Sequence, residues 1–191
     1  MRPNGAEVDL ETIRHPGASA IGPLKDDGRV VLVHQFRHAA GGYIYEIPAG
    51  KLHPGEDPLE CAARELEEEI GYRAGAFALL SSIFTAPGFA DEVIHVYKAT
   101  QLTPGRQQLD RDEVLDIVEM SLEEAITKIA DGTIRATWQD SRDTSTVWAM
   151  AIAASSDAAF VAFSAVVATC ESLPSISTWT CTCSLRTSRS L

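Results

Sequence analysis

GKLHPGEDPLECAARELEEEIGY, from Gly50 to Tyr72, decides the fold of this chain. Its centre carries helix punctuation, with Asp57 at the N-cap position, Pro58 at the first helical position and Gly71 at the end. At about 100° per residue, Leu59, Ala62, Ala63, Leu66 and Ile70 fall on one face, the face expected to pack on a sheet. Glu60 and Glu67 point the opposite way, with Arg64 as an i,i+4 partner for Glu60. Glu65, Glu68 and Glu69 form a third group, spaced i, i+3, i+4, whose side chains converge beside the packed face. Three like charges at that spacing destabilise an isolated helix. A divalent cation reverses the sign of that interaction, and hard oxygen ligands suit Mg²⁺ or Mn²⁺. The five residues LEEEI taken alone read as a solvated, Glu-rich face; the flanking residues change that reading.

Outward from this helix the elements alternate. Residues 29–36 (RVVLVHQF) form a β-branched run behind Asp27-Gly28, a turn-then-strand signal. A shorter strand is predicted over 43–47 and is stopped by Pro48. Further strands are predicted over 77–84, 92–99 and 114–119. A second helix starts at Ser121, where Ser121 and Glu124 make a capping-box pattern, and stops before Gly132. An α/β fold with a mixed sheet and one or two packed helices fits this order.

The chain has 191 residues and a net charge of −11, with 45% apolar residues, ample for a sizeable core. The acidic balance argues against an unaided nucleic-acid binder. An anionic substrate therefore requires a metal or a local basic pocket to offset the field. The first residues lack an apolar h-region, so no secretory signal is read and a cytoplasmic location is the expectation. Of the net charge, −10 lies before Thr137 and −1 after it. All 13 glycines precede Ala136, and Ser plus Thr make 19 of the last 55 residues against 10 of the first 136. Residues 1–136 are accordingly read as the folded domain and 137–191 as an atypical Ser/Thr/Ala-rich segment. Residues 147–168 are apolar, but Ser155, Ser156 and Asp157 at their middle argue against a membrane span and for a capping or dimer-facing helix.

Gly50, Glu56, Arg64, Glu65, Leu66, Glu68, Glu69 and Gly71 stand at the offsets G-x5-E-x7-R-E-U-x-E-E-x-G-U, the signature of the Nudix hydrolases. Tyr72 departs from it, since an aliphatic residue is commoner there. The resemblance implies a Nudix-like α/β/α sandwich with a loop–helix–loop motif that binds Mg²⁺, or Mn²⁺, and hydrolyses a nucleoside diphosphate linked to another group. Carried over by position, Glu65 and Glu69 resemble the principal metal ligands, with Glu68 a third and the Ala49 carbonyl a backbone ligand. Arg64 would hold and orient the carboxylates, and Glu56 would fix the loop through that arginine or through water. Such metals neutralise the diphosphate, polarise a phosphoryl oxygen and lower the pKa of the attacking water.

Beyond this box, His15-Pro16-Gly17-Ala18, Gln35-Phe36-Arg37, Glu46-Ile47-Pro48-Ala49-Gly50 and Ala86 to Glu92 resemble the ADP-ribose pyrophosphatase branch. Pro87, 15 residues beyond Tyr72, lies close to that branch's proline. The branch implies that Arg37 contacts the diphosphate or terminal ribose, that Glu46 is a substrate- or metal-proximal acid, and that Glu92 belongs to the ribose side. A strand-end surface arginine, a satisfied structural carboxylate and an exposed surface acid are the plain alternatives. The branch's general base sits on an acidic loop before the last strand, here Leu109 to Glu113, with Glu113 first and Asp112 second. A homodimer is also implied.

The leading expectation is therefore Mg²⁺-dependent hydrolysis of ADP-ribose to AMP and ribose 5-phosphate. Another nucleoside diphosphate sugar (ADP-glucose, GDP-mannose) and a catalytically weak binding module are the alternatives. The histidines show no zinc spacing, Cys181-x-Cys183 lacks a partner pair, and Cys61 reads as packed helix surface. The branch continues past Gly132 with a helix rich in Asp, Lys and aliphatics, which this chain replaces. A shifted reading frame or an unrelated extension is the hypothesis for the last 50 or so residues. Translating the coding DNA in the other frames tests it, and the absence of any family-like continuation there refutes it.

Overall fold

The computed structural model describes residues 5, 7, 9–111 and 113–135. The segment 137–191, with its apolar stretch, its cysteines and the frame-shift hypothesis, lies outside the described residues, as does Asp112.

In chain order the elements are β1 (Ala18–Pro23), β2 (Arg29–Arg37), a 3-10 turn (His38–Ala40), β3 (Gly42–Glu46), β4 (Ala49–Lys51), α1 (Pro58–Ile70), β5 (Tyr72–Phe84), β6 (Val93–Pro104), β7 (Leu115–Ser121) and α2 (Leu122–Ala130). The strands form two sheets. One is four-stranded and mixed, in the order β4-β1-β6-β5, with β1 and β6 parallel; the other is antiparallel, in the order β3-β2-β7. The first half of β2, Val30 to Val33, is buried on both faces, while its far end emerges at Phe36 and Arg37. Val31 and Val33 meet α1, while Val30 and Leu32 meet the α2 side with Met120 and Ala125. This double coverage makes the α/β/α layering.

The caps of both helices follow the sequence. Asp57 accepts from the Leu59 N–H at 2.8 Å, Gly71 closes α1 at φ 69°, and Ser121 accepts from the Glu124 N–H at 3.1 Å. The packed face of α1 differs from the expectation. Ala62, Leu66 and Ile70 are buried, but Leu59 is 42% exposed and Ala63 is exposed, whereas Cys61, Glu65 and Glu69 are buried. The reason is β4, which covers the flank of α1 and turns the buried arc toward the glutamates. Cys61 is thus interior, with Sγ 3.5 Å from the Gly50 carbonyl, rather than on the helix surface.

Two strands, β1 and β4, escape the sequence reading, and β5 and β6 run longer than predicted. β1 has the unpromising sequence ASAIGP yet is buried throughout, because β4 and β6 flank it on both edges. Tyr72, the departure from the signature, sends its hydroxyl 3.2 Å to Glu119, which Lys25 also holds at 2.8 Å. Its phenol ties the end of α1 to β7, a contact no aliphatic side chain makes.

Candidate active site

A cavity of about 1050 Å³ opens beside the N-terminal part of β4 and the glutamate flank of α1. Nine of the residues named from the sequence line it: Arg37, Glu46, Ala49, Arg64, Glu65, Glu68, Glu69, Glu92 and Glu113; Glu56 stands behind Arg64, outside the lining. Residues distant in sequence meet here because β1 brings β4 onto the mixed sheet, whose β6 follows directly on Glu92, while β2 and β3 carry Arg37 and Glu46 alongside.

Arg64 organises the acidic wall. Its Nε lies 2.8 Å from Glu56 Oε1 and its Nη2 3.0 Å from Glu56 Oε2, a forked pair that pins the 51–56 loop to the helix. Nη1 reaches Glu65 at 2.6 Å and Glu68 at 2.9 Å, and Nη2 also donates to the Lys51 carbonyl at 3.2 Å. Arg64 therefore serves Glu56, Glu65 and Glu68 rather than Glu60, since the loop supplies a better-shielded partner than the solvent-facing side of the helix does. It holds the Glu56 carboxyl down at about 2.

Glu69 accepts one bond, from the Ala49 N–H at 3.0 Å. Burial pushes its carboxyl up to about 8, and the neighbouring charges of Glu65 and Glu113 add to the rise. Burial also raises Glu65, against the pull of Arg64. Two crowded, desolvated carboxylates are electrostatically costly as a pair. Gly50 is packed so closely on Glu65 that a Cβ there would overlap the carboxylate, so this loop approaches only as glycine. The donors are all hard oxygens, the chemistry that Mg²⁺ and Mn²⁺ take. Among the described residues, no three His, Cys, Asp or Glu side chains are gathered to clasp an ion as they stand. Glu65 and Glu68 are both turned to Arg64, so the expected convergence of three carboxylates is replaced by a guanidinium-bridged arrangement. A divalent cation fits the donor set in chemistry, and Arg64 holds two of the carboxylates as they stand.

On the opposite wall Glu46 is buried, and its Oε2 accepts from Gln35 Nε2 at 2.7 Å and from Arg37 Nε at 2.8 Å. Glu46 is thus a satisfied carboxylate and a cavity residue at once, and it fixes the direction of the Arg37 guanidinium. Glu92 accepts from Thr85 Oγ1 at 2.7 Å and lies 3.1 Å from His15 Nδ1. Glu113 is exposed and accepts from the Asp110 N–H at 3.0 Å. Gln35, Thr85 and His15 received no role from sequence. Only their places inside or beside quoted stretches hinted at one, because a partner on another strand is invisible in the chain.

The NUDIX domain family model matches residues 13–138, and the chain belongs to this family. The chain is 44% identical over 126 residues to the ADP-ribose pyrophosphatase of Bacillus subtilis (strain 168), covering 65% of this chain and 68% of that protein. It is 45% identical over 134 residues to the methanol dehydrogenase activator of Bacillus methanolicus, covering 69% of this chain and 72% of that protein. The fold also matches the crystal structure of an ADP compounds hydrolase, with a TM-score of 0.59 at 20% identity, over 88% of this chain and 81% of that one. At that identity the likeness is one of fold.

Proposed function

We propose that this protein is a Mg²⁺-dependent pyrophosphatase of nucleoside diphosphate sugars that hydrolyses ADP-ribose to AMP and ribose 5-phosphate. The observation that carries the proposal is one shared cavity in which the Glu65–Glu69 flank of α1 meets the Arg37–Glu46 pair, with Glu92 beside His15. The 44% identity to the ADP-ribose pyrophosphatase of Bacillus subtilis supports the substrate. Glu65 and Glu69, with Glu68 and the Ala49 carbonyl, would hold Mg²⁺ or Mn²⁺. When bound, the cation offsets the diphosphate charge and polarises a phosphoryl oxygen.

The chain's own groups do the rest. Arg64 orients Glu65 and Glu68 through its Nη1. Arg37, braced at Nε by Glu46, presents its remaining N–H groups to the diphosphate or terminal ribose. Glu92, braced by Thr85, accepts from ribose hydroxyls. The Glu113 carboxylate takes the proton of the attacking water as its oxygen adds to phosphorus and the bridging P–O bond breaks. Residues 1–136 form the unit that does this chemistry, as a cytoplasmic homodimer.

Phosphate-coupled turnover with ADP-ribose, ADP-glucose, GDP-mannose, NADH and a nucleoside triphosphate, with Mg²⁺ and with EDTA, tests the reading. Metal-dependent preference for ADP-ribose supports it. Preference for GDP-mannose or ADP-glucose moves the substrate within the class, and silence from a folded protein makes it a binding module. Sedimentation gives the assembly.

A further inference from the structure

Between β6 and β7 the chain crosses the C-terminal end of α1 as a strap. The Gly105 N–H donates to the Gly71 carbonyl at 2.7 Å, the Gln108 N–H to the Glu68 carbonyl at 2.9 Å, and Gln107 Nε2 to the Glu69 carbonyl at 2.8 Å. The last carbonyls of a helix have no partner within it, so the strap supplies donors that α1 needs. The fit is close. A Cβ at Gly71, which already stands at φ 69°, would lie 3.1 Å from the Gln107 nitrogen. The carbonyls bound by Gln107 and Gln108 belong to Glu69 and Glu68, whose side chains face the cavity. A few residues on, Glu113 turns back on Asp110 through two bonds, Glu113 N–H to Asp110 O at 3.1 Å and Asp110 N–H to Glu113 Oε2 at 3.0 Å. Glu113 then shares the cavity with Glu65 and Glu69.

We propose that Gln107 is a positioning residue, whose side-chain bond to the Glu69 carbonyl sets the register of the 105–113 strap on α1 and thereby the reach of Glu113 toward the Glu65–Glu69 flank. The inference rests on the reading of Glu113 as proton acceptor. The other strap bonds, including Arg106 N–H to Glu67 Oε1 at 3.4 Å, come from the backbone and survive a non-proline substitution at Gln107. Among the described residues, Gln107 is the one strap side chain that hydrogen-bonds to α1. Because the same residue, Glu69, offers its carboxylate to the cavity and its carbonyl to the strap, movement of the helix end and of the Glu113 loop are coupled. Anchoring at Glu69 places the proton acceptor relative to the carboxylate wall itself rather than relative to the distant sheet edges.

Gln107→Met keeps the shape of the side chain and removes its donor. Gln107→Lys restores a donor that can reach helix-terminal carbonyls. Two readouts are combined. Amide exchange of the 105–113 peptide, followed by mass spectrometry on the full chain, reads the anchor without any activity. Gln107→Met is expected to speed it by about fivefold or more, the scale of one net hydrogen bond, with Gln107→Lys near wild type. In steady state with ADP-ribose and Mg²⁺, Gln107→Met lowers kcat by about fivefold or more with KM within twofold, and Gln107→Lys recovers kcat. In a Glu113→Gln background the Gln107→Met change has no further effect on kcat. Unchanged exchange in Gln107→Met overturns the anchor. Additive losses with Glu113→Gln overturn its action through Glu113. Altered exchange in an enzyme inactive on the whole substrate panel keeps the anchor, and it is then the Glu113 assignment, with the proposed activity, that falls.

Discussion

Replacing Arg64 with methionine keeps much of the side-chain volume and deletes the charge that three carboxylates share. In the wild type Arg64 forks onto Glu56 at 2.8 and 3.0 Å and touches Glu65 at 2.6 Å, with side-chain exposures of 23% for Arg64, 12% for Glu56 and 11% for Glu65. Two routes give the cost. Glu56 is held at about 2 against 4.5 for a free glutamate, and a gap of that size corresponds to roughly 3 kcal/mol. Removing one partner of a buried ion pair costs about 3–5 kcal/mol in general, and this partly buried pair belongs at or below the low end of that range. Both point to about 3 kcal/mol, or a fall in Tm of roughly 6–12 °C for a chain of this size. The pH dependence gives the sharper test. A carboxyl whose folded value is depressed contributes stability above its unfolded value and loses it as pH falls through the folded one. Here the window runs from 4.5 down to about 2. The difference between wild type and Arg64→Met in urea melts is full at neutral pH and shrinks to roughly half near pH 3. A destabilisation below about 1 kcal/mol at neutral pH, or one that stays constant into acid, would refute the assignment of Arg64 as the loop's electrostatic clamp.

Three further outcomes follow from the same wall. Glu69→Gln abolishes turnover; because the Glu69 carboxyl is raised to about 8, its contribution to folding is lost as pH rises through that value, so in EDTA at pH 8.5 the variant melts at or above the wild type. A clearly lower Tm there, or retained turnover, contradicts the reading. Gly50→Ala forces the Glu65 carboxylate out of its place, since the added Cβ overlaps it. Activity should fall by about 100-fold while Tm changes by only a few degrees, because the displaced group is the free end of a side chain. Wild-type kcat in that variant is the contrary result. Glu113→Gln lowers kcat far more than it changes KM, with the Mg²⁺-induced shift in Tm preserved; a raised KM at constant kcat moves the proton acceptor elsewhere.

Much of the molecule was legible along the chain because its signals are local. The start and end of α1, the cap of α2, the turn and strand of β2 and the spacing of the carboxylates each need only a few consecutive residues. The signature also brought Arg64 and Glu56 together, and the pair is direct. What it left open was which glutamates Arg64 serves. That depended on whether the loop or the solvent lay on its side of the helix, and the loop won.

The sequence by itself determined the type of most elements, the ends of α1, the charged residues that line the cavity, and the family. The tertiary structure alone decided the rest. β1 and β4 exist because neighbouring strands satisfy their backbone groups, not because ASAIGP or AGK favours extension. The buried arc of α1 shifted toward Cys61, Glu65 and Glu69 because β4 lies across that flank. Glu46 came to face Arg37 and Gln35 through the register of β2 on β3, and Gln107 came to rest on Glu69 through the strap. Pairing, burial and hydrogen bonding between residues far apart in the chain depend on where the backbone returns, and no window of consecutive residues contains that information.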